Sequence, residues 1–391
     1  MRIVFLDHPS YLGYLSIPRF TRMLADGMRA RGHTVEVWSP QPYFLRLPTP
    51  RTMQKWLGYL DQYLVFPREV RRRIKDLPKD TLFVLTDQAQ GPWAPLVADR
   101  PHAIHCHDFL AQHSALGRVK ENPTSWTGKR YQNLIYRGYS QGKHFISVSE
   151  KTKSDLQQLL PTPAVTSDVV YNGLNSAFKP ADPLQARKML GDKIGLDLTD
   201  GFLLHVGGNQ WYKNRLGILE MYNLWRSTTT GRLPLILIGE PLAPDLASIV
   251  EHSPYKADIH SLSGLEDKFV QSAYVGATVF LFPSLAEGFG WPIAEAMASG
   301  CPVITTDEAP MTEVAGDAGF LVPRRPYDKD GAAAWTVIAA EVLEKVVSLS
   351  ADQRNAAIQL GITNAKRFDS QTTLDQIENI YKKILDSSVN S

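Results

Sequence analysis

The sequence predicts an α/β chain folded as two parallel-sheet domains, and three observations predict it. At 391 residues the chain is too long for one compact core and suits two. It opens as strand, helix and strand, an order that implies a parallel sheet. Its second half runs twice through strand, glycine turn and helix, once from Phe202 and again from Val279.

Taken in order, RIVFL at 2–6 is a buried strand, and residues 7–16 form a loop whose one glycine is Gly13. From Pro18 to Arg31, Phe20, Met23, Leu24 and Met28 recur at helical spacing, and Gly32 ends the helix. Thr34–Trp38 is the second strand. Ligands of open α/β sheets sit beyond the carboxyl ends of strands, so the Gly13 loop would face a cleft. Residues 52–75 carry Met53, Trp56, Leu57, Leu60, Tyr63 and Leu64 as one apolar stripe, then Arg68, Arg71, Arg72, Arg73 and Lys75. They read as a surface helix packed on the sheet with a solvated basic face, or as an element lying on an anionic membrane surface.

Strands follow at Leu82–Thr86 and His102–Cys106. The second releases into HCHD, which puts His107 and Asp108 at a strand end. His105, His107 and His113 cluster here, but no further ligand completes a metal site, and no metal is assigned. Ile146–Val148 is a strand, and SEKTKSDL after it is a capped helix start. Residues 180–201 read as an interdomain linker with a short helix.

In the second half, Gly207 and Gly208 follow the strand Phe202–Val206, then NQWYKN and a helix from about Arg215. Lys213 can place an ammonium on a diphosphate. Leu235–Ile238 and Ile259–Leu262 are further strands. The stretch that organises the whole chain is 279–306, VFLFPSLAEGFGWPIAEAMASGCPVITT. Gly288 and Gly290 bracket Phe289, so this backbone can turn sharply and approach a ligand. Pro292 suits the first helical position, Ile293–Ser299 continues the helix, and Gly300 caps it. Such a turn gathers backbone N–H groups and the positive end of a helix dipole, which suits a phosphate. Glu287 and Glu295 flank it; they repel a bare phosphate but accept from hydroxyls. The pattern asks for a ligand that is both phosphorylated and rich in hydroxyls.

Glu-x7-Glu within EGFGWPIAEAMASGCPVI resembles the motif of retaining GT-B glycosyltransferases of family 4, which use nucleotide sugars. YNGLNSAFKP, APMTEVAGDAGFLV and Phe368-Asp369-Ser370 extend the resemblance. It implies two Rossmann-like parallel-sheet domains facing across a cleft. Residues 1–178 would bind the acceptor, with a last helix over 371–391 returning to them, and 179–370 would bind the donor. It implies Glu287 on the donor sugar, Glu295 on the ribose hydroxyls, Lys213 with Gly208 on the diphosphate, and His107 beside the anomeric carbon. The loop Ser261–Leu265, Leu262 included, would hold the base, and Gly13, Gly288, Phe289, Gly290 and Trp291 would border the donor. Many relatives carry an Arg ahead of the Lys. Here Asn209, Gln210, Trp211 and Tyr212 stand there, and Arg215 is the candidate replacement. No metal or other cofactor is implied beyond the nucleoside-diphosphate sugar.

The expected activity is therefore hexosyl transfer, as by a mannosyltransferase of polysaccharide assembly. The donor would be GDP-mannose or a UDP-sugar, and the acceptor a saccharide or lipid-linked saccharide. A glycoside phosphorylase or soluble sugar synthase, or a non-catalytic nucleotide-sugar-binding subunit, are the alternatives. Residues 1–180 hold 24 Lys and Arg against 14 Asp and Glu, and the remainder 18 against 26. The basic half attracts anions such as a membrane surface; no motif accompanies it that would make nucleic acid the partner. Two cysteines in apolar context, Cys106 and Cys301, and the absence of a leader or an apolar run of spanning length suggest a cytoplasmic protein, peripheral on the inner face of the plasma membrane.

Overall fold

A computed structural model describes residues 1–13 and 16–389 as an α/β chain with two six-stranded parallel sheets. Tyr14 and Leu15 of the expected first loop, and the last two positions of the expected terminal helix, lie outside the described residues. The chain divides into two compact units. One comprises Met1–Val119, Pro123–Tyr171 and the chain from Gln371 on; the other comprises Lys120–Asn122 and Asn172–Ser370.

The first sheet contains β1 (Arg2–Leu6), β2 (Thr34–Trp38), β3 (Leu82–Leu85), β4 (His102–Cys106), β5 (His144–Ser147) and β6 (Thr166–Val169). Its spatial order is β2-β1-β3-β4-β5-β6. The chain steps from β1 outward to β2, then returns to the other side of β1 for β3, so winding reverses between β1 and β3. The second sheet contains β7 (Leu203–Gly207), β8 (Leu235–Gly239), β9 (Ile259–Leu262), β10 (Val279–Phe282), β11 (Val303–Thr306) and β12 (Gly319–Val322). Its order is β12-β11-β10-β7-β8-β9, and winding reverses between β7 and β10. Central strands such as β1, β3 and β10 read as continuous Val, Ile, Leu and Phe because both faces are covered by helices.

Three expectations change. The boundary falls between Tyr171 and Asn172 rather than at 178–179. The reason is local: Leu174 N–H donates to Phe368 O at 2.7 Å, and Leu174 bridges Asp369, which fastens YNGLNS to the second unit. Segment 180–201 is not a free linker. Its helix Pro183–Ile194 belongs to the second unit, where Arg187 Nε donates to Gly276 O at 2.8 Å. Residues 52–75 form two helices, Arg51–Leu60 and Phe66–Ile74, joined by a π turn at Asp61–Val65. The π turn rotates the apolar register. Phe66 and Val70 pack inward, while Met53, Trp56, Leu60 and Leu64 face solvent, Trp56 at 64% exposure. Arg73 leaves the basic face and lies over the Trp38 ring, 4.1 Å from its centroid.

The helix Ser370–Val389 packs on the first unit through Leu374, Ile377, Tyr381 and Ile384, at helical spacing and buried. Polar contacts fix its register. Arg31 reaches Asp375 at 2.6 Å, His33 Nε2 reaches Glu378 at 3.0 Å, and His105 Nε2 lies 2.7 Å from the Tyr381 hydroxyl. No helix among the described residues is long and apolar enough to cross a membrane.

Candidate functional site

In the second unit, both glycine corners leave the sheet where its winding reverses, one after β7 and one after β10. They are stitched together. Leu285 N–H donates to Tyr212 O at 2.7 Å, and Asn214 Nδ2 donates to Pro283 O at 2.9 Å. Asn214 is held left-handed with φ 52°, which an Asn tolerates better than most residues. From behind, Thr305 Oγ1 donates to Phe282 O and Thr306 Oγ1 to Ser284 O, so the end of β10 is fixed by its neighbour β11.

This stitching brings Lys213 and Glu287 together. Lys213 Nζ lies 2.7 Å from Glu287 Oε1, with both side chains largely buried, and 4.9 Å from the Phe282 ring centroid. Gly290 sits at φ 100° as the cap before the helix Trp291–Ala298. A side chain would strain that conformation, which accounts for the glycine. Trp291 takes the first helical position and Pro292 the second, and Ser299 rather than Gly300 is the C-cap. Glu295 therefore lies one turn inside the helix, not in its first turn. There Tyr274 donates its hydroxyl to Glu295 Oε2 at 3.0 Å. Burial pushes the Tyr274 phenol up, so it remains a donor.

The other expected donor-side residues divide. Gly208 lies in the β7 loop beside Gln210. Leu262 ends β9, two strands from β7, with the exposed Gly264 after it. Phe289 is buried, its ring 5.4 Å from that of Phe368, so its side chain serves packing. Gly288 and Trp291 frame the turn on either side of it. Arg215 does not replace the missing cation. It is 3% exposed, and its guanidinium donates to Gly207 O, Glu240 O and Asn209 Oδ1 at 2.5, 2.9 and 2.8 Å. It fixes the β7 loop from beneath, and Lys213 is the cation paired with Glu287 at the corner. Glu240, which accepts from Asn209 N at 3.1 Å, and Tyr274 went unrecognised in the sequence because both act on other site residues across long sequence gaps.

In the first unit, Gly13 closes a short 3-10 turn at φ 69° and is exposed. His107 stands just past β4. Its Nε2 donates to Thr86 O at 2.9 Å, its N–H donates to Gln88 Oε1 at 2.8 Å, and its ring meets Phe20 edge-on at 4.7 Å. Burial lowers its pKa, so the imidazole is neutral at neutral pH. The neighbouring histidines serve structure: His105 engages Tyr381, and His113 Nε2 lies 3.2 Å from Asp155.

Two six-stranded parallel sheets, each with a winding reversal, and both glycine corners at the reversal of the second define an α/β protein of the GT-B kind. Residues 201–340 match the family model of the group 1 glycosyl transferases, and residues 17–178 that of glycosyltransferase family 4. The chain belongs to the family 4 glycosyltransferases. It is 31% identical over 254 residues to the O-antigen chain mannosyltransferase B of Escherichia coli, covering 64% of this chain and 63% of that relative. It is 25% identical over 380 residues to the phosphatidyl-myo-inositol mannosyltransferase of Mycobacterium tuberculosis, covering 93% and 92%. Among solved structures it resembles Anabaena Alr3699/HepE in complex with UDP and glucose, with a TM-score of 0.71 at 19% identity over 97% of this chain and 98% of that one.

Proposed function

We propose that this chain is a retaining glycosyltransferase that moves a hexosyl unit from GDP-mannose or a UDP-sugar to a saccharide or lipid-linked saccharide. The observation that carries the reading is the meeting of Lys213 and Glu287 beside a helix N-terminus at the winding reversal of the second sheet. Mannose is favoured by the likeness to O-antigen and phosphatidylinositol mannosyltransferases.

In this reading the diphosphate lies on the two glycine corners and the ribose on Glu295. Lys213 turns from Glu287 to the diphosphate, and Glu287 is released to accept from sugar hydroxyls. The bond between the anomeric carbon and the phosphate oxygen breaks, and its electron pair leaves with the diphosphate. The acceptor oxygen bonds the same face of that carbon, and its proton goes to the departing phosphate oxygen. Lys213 and the turn amides stabilise the charge that develops there. In the first unit, His107 offers a neutral imidazole. No metal ion has a step in this scheme.

Met53, Trp56, Leu60 and Leu64 lie exposed beside the exposed Arg68, Arg71 and Arg72, and this supports a further part of the reading. An apolar face flanked by arginines suits an anionic membrane surface, where a lipid-linked acceptor would be met.

The test is a thermal-shift screen of GDP-, UDP- and ADP-sugars, followed by transfer to a methyl glycoside and proton NMR of the new linkage. A product with the donor's anomeric configuration is expected. An inverted product, or activity that needs a free sugar plus phosphate instead of a nucleotide sugar, would overturn the reading.

A further inference from the structure

We infer that Arg324 is a positioning residue for the donor sugar: tied to Glu121, it holds the carbonyl of Leu285 and so sets where Glu287 is presented. The inference deepens the transferase reading above and rests on it.

Four successive residues, from the last of β10 onward, have their carbonyls held by side chains. Thr305 takes Phe282 O, Asn214 takes Pro283 O and Thr306 takes Ser284 O. The fourth, Leu285 O, accepts from Arg324 Nε at 3.0 Å. Phe282 to Leu285 are buried, so each carbonyl requires a donor. Thr305, Thr306 and Asn214 are buried neutral donors. Arg324 differs from them in being charged and partly exposed, and it takes the carbonyl two residues before Glu287.

Arg324 is itself braced. It lies in PRRP at 323–326, just past β12. On one side Trp335 Nε1 donates to Pro323 O at 2.6 Å. On the other, Arg325 Nε and Nη2 donate to the two carboxylate oxygens of Glu220 at 2.8 and 2.9 Å. Glu220 lies on the helix Arg215–Thr228, which leaves the Lys213 corner. The backbone of Arg324 is thus fixed against the framework that carries that corner.

Glu121 aims the guanidinium. Its Oε1 accepts from Arg324 Nη2 at 2.6 Å, whereas Glu308 stands off at 3.8 Å. Burial opposes the charge on Glu121, but the hydrogen bond from Arg324 outweighs it and keeps the carboxylate ionised. A charge-assisted bond of this kind is stronger than a neutral one. Glu121 belongs to Lys120–Asn122, which is part of the second unit although the chain before and after it belongs to the first.

In the transferase reading Glu295 meets the ribose and Glu287 the sugar. The Lys213 corner keeps its own ties, Asn214 to Pro283 O and Leu285 N–H to Tyr212 O. Freeing Leu285 O therefore disturbs the sugar and spares the nucleotide. A merely structural role would weaken both alike.

The test is calorimetry on the full chain with GDP, UDP, GDP-mannose and UDP-glucose. The readout is the affinity for the sugar donor relative to that for the free diphosphate of the same base. Arg324→Gln lowers this ratio about 5-fold or more while diphosphate affinity holds, as loss of one hydrogen bond from a charged group requires. Glu121→Gln lowers it less, and the double variant matches Arg324→Gln alone, because Glu121 acts only through Arg324. If Arg324→Gln does not fold, Glu121→Gln and Arg324→Lys carry the expectation, since an ammonium lacks the fork that reaches both partners. An unmoved ratio, parallel loss of both affinities, or additive effects in the double variant would overturn the inference. A parent protein that binds neither GDP-mannose nor UDP-glucose would take down the transferase reading and this inference with it. Donor bound by the parent with an unmoved ratio in the variants would remove only the role of Arg324.

Discussion

The Lys213 ammonium sits 2.7 Å from the Glu287 carboxylate, although 74 residues separate them in the chain. Each compensates the other's charge while the corner is empty of diphosphate. Lys213→Ala and Glu287→Ala are each expected to lower kcat by at least ~10²-fold, the scale of losing a group that stabilises developing charge. Steady-state kinetics with a radiolabelled nucleotide sugar measures it. Near-normal turnover in either variant would remove that residue from the proposed chemistry.

The Tyr274 hydroxyl orients Glu295 from a fully buried position. Tyr274→Phe keeps the ring and deletes one hydrogen bond. Nucleotide affinity should fall about 3- to 10-fold, and further in Glu295→Ala, with little change in kcat at saturating donor. Calorimetry with GDP and UDP reads this directly; equal affinities in all three proteins would mean the ribose lies elsewhere.

Arg215 is a structural prediction. Arg215→Met leaves the carbonyls of Gly207 and Glu240 and the Asn209 amide oxygen without their shared donor. A loss of about 3 kcal/mol in stability of the second unit is expected, read by urea denaturation. A variant as stable as the parent would show that the guanidinium is not the support of this loop.

His105 and His205 are fully buried, one in each unit, and burial lowers both from 6.5 to about 3. Both are neutral in the folded chain at pH 5, whereas in the unfolded chain they bind protons below about 6.5. Stability is therefore present above that value and declines as pH falls toward 3. At pH 5 each costs about 2 kcal/mol. Melting temperature should drop between pH 7 and pH 5, and His105→Gln should flatten the drop for the first unit. A pH-independent melting temperature in the parent protein would contradict this.

The exposed apolar and basic face of 53–72 predicts binding to anionic vesicles. Flotation with phosphatidylglycerol vesicles should recover the chain, neutral phosphatidylcholine should not, and Arg68→Ala with Arg72→Ala should weaken recovery by roughly 1 kcal/mol per charge. Equal partitioning into both lipids would rule the surface out.

Much of this was legible in the residues themselves. Apolar runs at β1, β3 and β10 and the two glycine corners follow from rules that act over a few positions, as does the helix that begins at Trp291. The resemblance set Lys213 and Glu287 on one donor but in separate roles, and their direct pairing was not readable, since spacing alone does not bring position 213 to position 287. The contacts that escaped are those between distant segments. Tyr274 on Glu295, Arg215 under the β7 loop and His8 against Asp87 involve ordinary residue types whose meaning depends on which strands lie side by side. Of the two readings of the stripe at 53–64, packing on the sheet is not what the structure shows: Met53, Trp56, Leu60 and Leu64 are exposed, and the π turn at Asp61–Val65, an event without a compositional signature, changes the register only of the residues after it.

The return of the helix Ser370–Val389 to the first sheet has a temporal consequence. His105 finds Tyr381, and Arg31 finds Asp375, only when nearly the whole polypeptide has been made. Nascent chains leave the ribosome amino end first. The second unit, almost contiguous from Asn172 to Ser370, can thus close before the earlier-made first unit has its last wall. A fragment truncated at 171 would expose the apolar strip that Leu374, Ile377 and Ile384 normally cover, making it a client for chaperones rather than a stand-alone domain.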